Sequence, residues 1–426
     1  MKLNQIHGWL LIIYFLTEPF AIAADAPALM GQMNVGYQVL GEDDMAGGAV
    51  HLWFPTSVQA TAENRAIYDE QISQHAASTT EFAGDEPFPL IVYSHGELKN
   101  PFENLIVVES LASHGFVVAA PTHILSGPPG NADGYLERVP VIKSTIDLLY
   151  ELTEEAEGEL FGKIRTDGVG AAGFSLSGHA VKALAGGAVT KVEPDDRVQA
   201  IMSNSAWGTG NTPEDIEIPT LLLAGEDDSF NARQTASLDL RRISSEDRFL
   251  TLFDGIGPCV LYGSTCNNTY AQEVKAILGV AFFDTYLRGN DVFSETLTQQ
   301  FAVDYEPPFG FFEGAETDVN QDKRTDFEDF LVLADLFGKT KLGRQRRVDF
   351  DANGIVDFQD FLLLANNFSQ APATGGASVV PEPSSWSMAT LALLTMLRWR
   401  RRQQRTIGRS EASEVCRLRA LRPIAQ

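Results

Sequence analysis

Apolar runs and amphipathic stretches alternate along residues 26–300. The runs Pro89–Tyr93, Phe116–Ala120, Gly168–Gly173, Pro219–Ala224 and Arg248–Phe253 are short and mostly apolar, the pattern of strands buried on both faces. Between them, Val139–Tyr150 and Ala271–Leu287 repeat at helical spacing, with Val274, Ile277, Leu278, Ala281 and Phe282 on one stripe. Such alternation predicts a mostly parallel sheet flanked by helices, an α/β architecture. The earlier runs Gly36–Leu40 and Ala49–Phe54 predict an antiparallel edge.

A second pattern starts beyond residue 315. Residues 318–337 and 349–368 align without gaps at an offset of 31, with Asp326/Asp357, Phe327/Phe358, Phe330/Phe361, Leu333/Leu364 and Phe337/Phe368 among the identities. Such a repeat predicts two copies of one supersecondary unit packed together. Each copy carries side-chain oxygens at positions 1, 3, 5, 9 and 12 of a twelve-residue loop. These are Asp318, Asn320, Asp322, Asp326 and Asp329, then Asp349, Asp351, Asn353, Asp357 and Asp360. Arg324 and Ile355 stand at position 7, where a backbone carbonyl completes a calcium shell, so two Ca2+ ions are expected. Lys323 stands where the second loop has its turn glycine, Gly354. The helix after the first loop is expected to bury Phe330, Leu331, Ala334 and Phe337. Aspartate at position 12, with no clear entering helix, makes the pair resemble a type I dockerin. That resemblance implies a small all-α paired calcium-loop module over residues 315–370, with a cohesin-like or an intramolecular partner.

Both termini read as processing signals. Met1-Lys2, the apolar run Gly8–Leu16 and Ala21-Ile22-Ala23-Ala24 have the layout of a secretory signal peptide over residues 1–24. The run is too short to cross ~30 Å of hydrocarbon comfortably, so cleavage near Asp25 is expected. At the other end a linker over 371–379 precedes Val380-Pro381-Glu382-Pro383, the apolar stretch Trp386–Leu397 and Arg398-Trp399-Arg400-Arg401-Arg402. This order resembles the PEP-CTERM sorting signal of Gram-negative bacteria over 380–403, with a basic tail over 404–426. The resemblance implies export and transient inner-membrane anchoring with the arginines inside. It further implies cleavage by an exosortase and release to the cell surface or extracellular matrix.

Composition narrows the function classes. At 44% hydrophobic and 21% charged residues, the chain is globular in type. Residues 398–426 hold nine arginines and two glutamates, so the remainder has 23 basic and 55 acidic residues, a net of −32. An acidic body of this size repels polyphosphate, which argues against a nucleic-acid partner and favours divalent cations. Three cysteines exclude a disulfide-framework miniprotein.

The candidate chemistry lies in Gly173-Phe174-Ser175-Leu176-Ser177-Gly178, which follows a predicted strand and opens a helix. In that setting G-x-S-x-G forms a nucleophile elbow with Ser175 at its tip. Ser94-His95-Gly96 after an earlier strand has the position of an oxyanion loop, which makes the Leu176 and Glu97 amides the candidate oxyanion donors. The strand Thr220–Ala224 runs into Gly225-Glu226-Asp227-Asp228, where the acid of a triad is expected. Phe88–Gly96, Leu111–Val118, the elbow, Ile218–Asp228 and Phe282–Gly289 together resemble the platelet-activating-factor acetylhydrolase and dienelactone hydrolase group of α/β-hydrolases. The resemblance spans nearly all of residues 33–290. It implies an α/β-hydrolase fold over 25–300 that hydrolyses esters through Ser175 without a cofactor, with Asp228 as acid and Asp227 as its alternate.

The expected base is missing. Triad order on this fold is Ser, acid, His, yet none of the seven histidines follows Asp228. By the resemblance the position falls near Gly257 or Pro258. His123, at a strand end, and His179, four residues after Ser175, are the candidate substitutes; His95 belongs to the oxyanion loop. Glu97 puts a carboxylate beside a site of developing negative charge, and Ser177 replaces the second glycine of the motif. Cys259 and Cys266 flank the loop where the histidine is missing and are a candidate disulfide. Two readings stand: an exported carboxyl-ester hydrolase with an unconventional base, or a lapsed hydrolase serving as a surface binding or structural protein.

Overall fold

The apolar runs become strands of a single sheet in the computed structural model. It describes residues 26–41, 48–69, 71–97, 100–123, 134–187, 192–206, 213–225, 232–253, 269–298, 301–302, 305, 310–313, 325–339, 348, 350 and 355–366. The chain divides into two units, residues 1–314 and 315–426.

In the first unit the strands are β1 (Asn34–Leu40), β2 (Val50–Thr56), β3 (Arg65–Tyr68), β4 (Gln71–Ser78), β5 (Phe88–Ser94), β6 (Val117–Pro121), β7 (Ile164–Phe174), β8 (Val198–Asn204), β9 (Thr220–Gly225), β10 (Arg248–Phe253) and β11 (Gly310–Glu313). Among the described residues they form one sheet ordered β11-β10-β9-β8-β7-β5-β6-β2-β1-β4-β3. β5 to β10 are mutually parallel, while β2 joins β6 and β11 joins β10 antiparallel. The helices are α1 (Leu105–Ser113), α2 (Tyr135–Glu154), α3 (Leu176–Leu184), α4 (Ala232–Arg242) and α5 (Thr269–Arg288).

The helices cover both faces. Val107, Leu111, Val274, Leu278 and Phe282 of α1 and α5 are buried in one core, the α5 stripe as predicted. Val139, Ile142, Ala180, Leu184 and Leu240 of α2, α3 and α4 are buried in the other. This is a mostly parallel sheet between two helical layers, the layout of an α/β-hydrolase-type fold. α2 starts a turn earlier than its pattern suggests, because Pro140 lies inside the helix rather than opening it.

The second unit contains α6 (Phe327–Leu336) and α7 (Phe358–Asn366). They share a small core of Phe330, Leu333, Leu336, Val348, Phe350, Val356, Phe361 and Leu364. Gly338 N–H donates to the Val356 carbonyl at 2.7 Å and Val356 N–H to the Lys339 carbonyl at 3.2 Å, tying the copies together. Leu331, expected in the core, is 52% exposed, because the buried stripe runs through 330, 333 and 336. Among the described residues no helix is long and apolar enough to cross a membrane. The signal-like residues 1–24, the linker 371–379, the sorting-type segment 380–403 and the tail 404–426 lie outside the described residues.

Candidate active site

Strand order sets where a site can form. β5 leads through α1 to β6 on one side, whereas β7 leads through α3 to β8 on the other. The carboxyl ends of β5 and β7 are neighbours whose chains depart in opposite directions, and such a divergence opens a crevice.

Ser175 stands at that edge, between the last residue of β7 and the first of α3, with φ +53° and ψ −117°. A side chain at positive φ costs about 1–3 kcal/mol and persists only where its surroundings hold it. Here Ser175 N–H donates to the Asn204 carbonyl at 2.8 Å and Gly178 N–H to the Ser175 carbonyl at 2.9 Å. A Cβ on Gly173 would lie 2.2 Å from the Ser177 carbonyl oxygen, and one on Gly178 would lie 2.9 Å from Ala206 Cβ. Both flanking glycines are therefore required by the turn. Position 177 admits a side chain, and Ser177 is fully buried there.

The loop after β5 packs directly on this turn: a Cβ on Gly96 would meet the Phe174 ring at 2.7 Å. Gly96 N–H donates to Glu103 Oε1 at 2.9 Å, and the same oxygen accepts from the Tyr93 hydroxyl at 2.9 Å. With the Gly96 amide committed, the next amide along the loop is that of Glu97. Lys275 of α5, also buried, has its pKa brought down to about 8 by burial, with Glu103 opposing that shift.

Beneath the turn runs a chain of buried polar groups. Arg138 Nε donates to Ser177 Oγ at 2.9 Å, Ser94 Oγ donates to Ser177 Oγ at 2.7 Å, and Ser177 Oγ donates to the His95 carbonyl at 2.6 Å. Ser94 Oγ also lies 2.6 Å from His123 Nε2. Since the Ser94 proton goes to Ser177, His123 carries its proton on Nε2 and donates to Ser94. Nδ1 of His123 meets no hydrogen-bond partner among the described residues. Burial, then His95 and Arg138, hold the His123 pKa well below the ordinary histidine range. His179 lies in α3 one turn beyond Ser175, 4% exposed, its ring centroid 5.9 Å from that of Tyr135.

Ser175, Leu176, Glu97, His123 and His179 thus all belong to elements that converge on the β5–β7 edge. Asp227 and Asp228, beyond β9, and Cys259 and Cys266, beyond β10, lie outside the described residues. The sequence pattern names Ser94 only as part of the oxyanion loop and does not single out Arg138 or Glu103. The one hint was the serine at position 177, which turns out to be the node of the buried chain.

In the second unit, Asp318, Asn320, Asp322, Arg324, Asp349, Asp351 and Asn353 lie outside the described residues. The described remainder has one geometry in both copies. Asp326 N–H donates to Asp329 Oδ2 and Asp357 N–H to Asp360 Oδ2, each at 2.8 Å. Glu328 N–H donates to Asp326 Oδ1 at 2.9 Å and Gln359 N–H to Asp357 Oδ1 at 2.8 Å. These carboxylates cap α6 and α7. Ile355 is 41% exposed just ahead of α7. No group of three or more His, Cys, Asp or Glu side chains suited to a metal occurs among the described residues.

Comparison with curated proteins gives no match. A family model described as "PETase: PET hydrolase-like" matches residues 106–285, which run from α1 through the Ser175 turn into α5. With the parallel sheet and its helical layers, this match makes the first unit an α/β-hydrolase-superfamily domain related to PETase-like hydrolases over those residues.

Proposed function

We propose that the first unit is a serine carboxyl-ester hydrolase with Ser175 as nucleophile, of the platelet-activating-factor acetylhydrolase and dienelactone hydrolase type. The observation that carries this reading is the strained Ser175 turn at the divergence of β5 and β7. The PET hydrolase-like match supports ester chemistry on the same segment. In the proposed reaction the Ser175 hydroxyl gives its proton to a base as Oγ attacks the ester carbonyl, and the Leu176 and Glu97 amides receive the oxyanion. The alcohol leaves with that proton as the C–O ester bond breaks, and water deprotonated by the same base then releases the acid from the acyl-serine. Asp228, or Asp227, orients the base.

For that base, His179 and His123 are the two candidates. Side chains on α3 tilt toward its N-terminus, which favours an approach of His179 to the turn one helical turn away. His123 has only Nδ1 left to accept a proton, since Nε2 is engaged with Ser94. Turnover of short p-nitrophenyl esters by the wild type, abolished in Ser175→Ala and reduced at least about a hundredfold in His179→Ala or His123→Ala, tests the scheme. A second reading, a lapsed hydrolase kept as a surface binding or structural protein, is favoured by the lack of any histidine after His179. A wild type with no turnover above that of Ser175→Ala would favour it.

We propose that the second unit is a dockerin-like module holding two Ca2+ ions. The donor set is all oxygen, as calcium requires, and Asp329 and Asp360 are fully buried carboxylates whose withdrawal from water a bound cation would offset. Phe327, Leu331, Phe358 and Leu362 are exposed at corresponding positions of the two helices. Their exposure supports docking to a cohesin-like domain or an intramolecular partner. The terminal segments support export, exosortase processing and display at a Gram-negative cell surface.

A further inference from the structure

We propose that Arg138 is a positioning residue of this site, acting through the Ser177 hydroxyl; the inference rests on the ester-hydrolase reading above. Ser177 stands where the G-x-S-x-G pattern has its second glycine. Its hydroxyl accepts from Arg138 and from Ser94 and donates to the His95 carbonyl, which uses its full bonding capacity. One atom therefore joins α2, the turn into α3, the end of β5 and the loop that carries the Glu97 amide. Ser94 and Ser177 are fully buried and Arg138 is 1% exposed, so water is not at hand to replace a lost partner.

The tie bears on chemistry because the two candidate oxyanion donors lie on either side of it. Leu176 immediately precedes Ser177, and Glu97 is two residues beyond the carbonyl that Ser177 grips. The spacing of such donors sets how well they meet a tetrahedral oxyanion. Arg138 also brings a positive charge into the region where Glu97 contributes a negative one, and Glu97 is the charged neighbour that acts on Arg138 most strongly. The serine that breaks the motif and the arginine in α2 are thus one device. Restoring the glycine should harm the site.

Saturation kinetics of a fluorophosphonate probe on the full-length protein test this, giving kinact and KI separately for wild type, Ser177→Ala, Ser177→Gly, Arg138→Met and the Ser177→Ala/Arg138→Met double variant. Circular dichroism fixes a temperature at which each is folded, and Ser177→Ala, the smallest change, carries the test where Arg138→Met does not fold. Expected is a fall in kinact of about tenfold or more at unchanged KI in each variant, with the double variant no slower than the slower single one. A purely structural role would lower the unfolding midpoint and leave kinact of the folded protein alone. Wild-type kinact in Ser177→Ala or Ser177→Gly, or losses that multiply in the double variant, would overturn the inference alone. A wild type that never labels would overturn the hydrolase reading and this inference with it.

Discussion

The backbone N–H of His123 donates to Nε2 of His95 at 3.1 Å, while Nδ1 of His95 donates to the Gly96 carbonyl at 2.9 Å. Both nitrogens of the His95 ring are thereby engaged, and its proton sits on Nδ1. Burial brings the His95 pKa down to about 4 against the Gly96 hydrogen bond, with Arg138 and His51 adding to the depression. His95 is a brace for its loop, which leaves His123 and His179 as the candidate bases of the proposed reaction.

A histidine kept neutral in the folded protein but free to charge on unfolding makes stability depend on pH. The unfolded chain binds the extra proton, so the His95 contribution is complete above about pH 6.5. It is lost progressively as the pH falls toward about 4. The loss from His95 alone is on the order of 3 kcal/mol, and His123 acts in the same direction. Urea unfolding at pH 7.5, 6 and 5 should show falling stability, with a shallower decline in His95→Gln. Equal slopes in the two proteins would contradict this.

The Ser175 backbone is held at positive φ, a strain that the proposed nucleophile role would require. Glycine adopts φ +53° without strain, so Ser175→Gly should be more stable than Ser175→Ala by about 1 kcal/mol while both lack turnover. Thermal unfolding of the two variants side by side decides the point, and equal midpoints would remove the strain from the account.

Behind the turn, Lys182 of α3 and Asp239 of α4 form an ion pair at 2.5 Å with side chains 1% and 8% exposed. Removing one partner leaves a buried charge, so Lys182→Met should cost about 3–5 kcal/mol. Replacing both, as Lys182→Met with Asp239→Leu, should recover most of that loss. Denaturant midpoints measure the cycle, and a double variant as weak as the sum of the singles would refute it.

Calcium should act on the second unit. Isothermal titration of the chelator-stripped protein is expected to register two Ca2+ ions, falling to one in Asp360→Ala. Stoichiometry that stays at zero in the wild type would end the calcium proposal.

Much of this was readable from residue order because it is local. The turn around Ser175 is recognisable from its own glycines and the strand before it, and both α5 and the paired helices announce themselves by spacing. β8 is not legible in the sequence because Gln199 and Ser203 interrupt its apolar run, although the strand lies centrally between β7 and β9. Its polar groups serve the site instead: Ser203 Oγ donates to the Gly178 carbonyl at 3.1 Å, and the Asn204 carbonyl holds Ser175. Arg138 was invisible for a different reason. It meets Ser177 across 39 positions of sequence, a contact created only when α2 packs beside α3.

The most direct test is mass-spectrometric mapping of the fluorophosphonate adduct on the folded protein. A single modified peptide is expected, Gly173–Lys182 or a fragment containing it, with the adduct on Ser175 and none formed in Ser175→Ala. An unmodified wild type, or an adduct carried by a different serine, would contradict it.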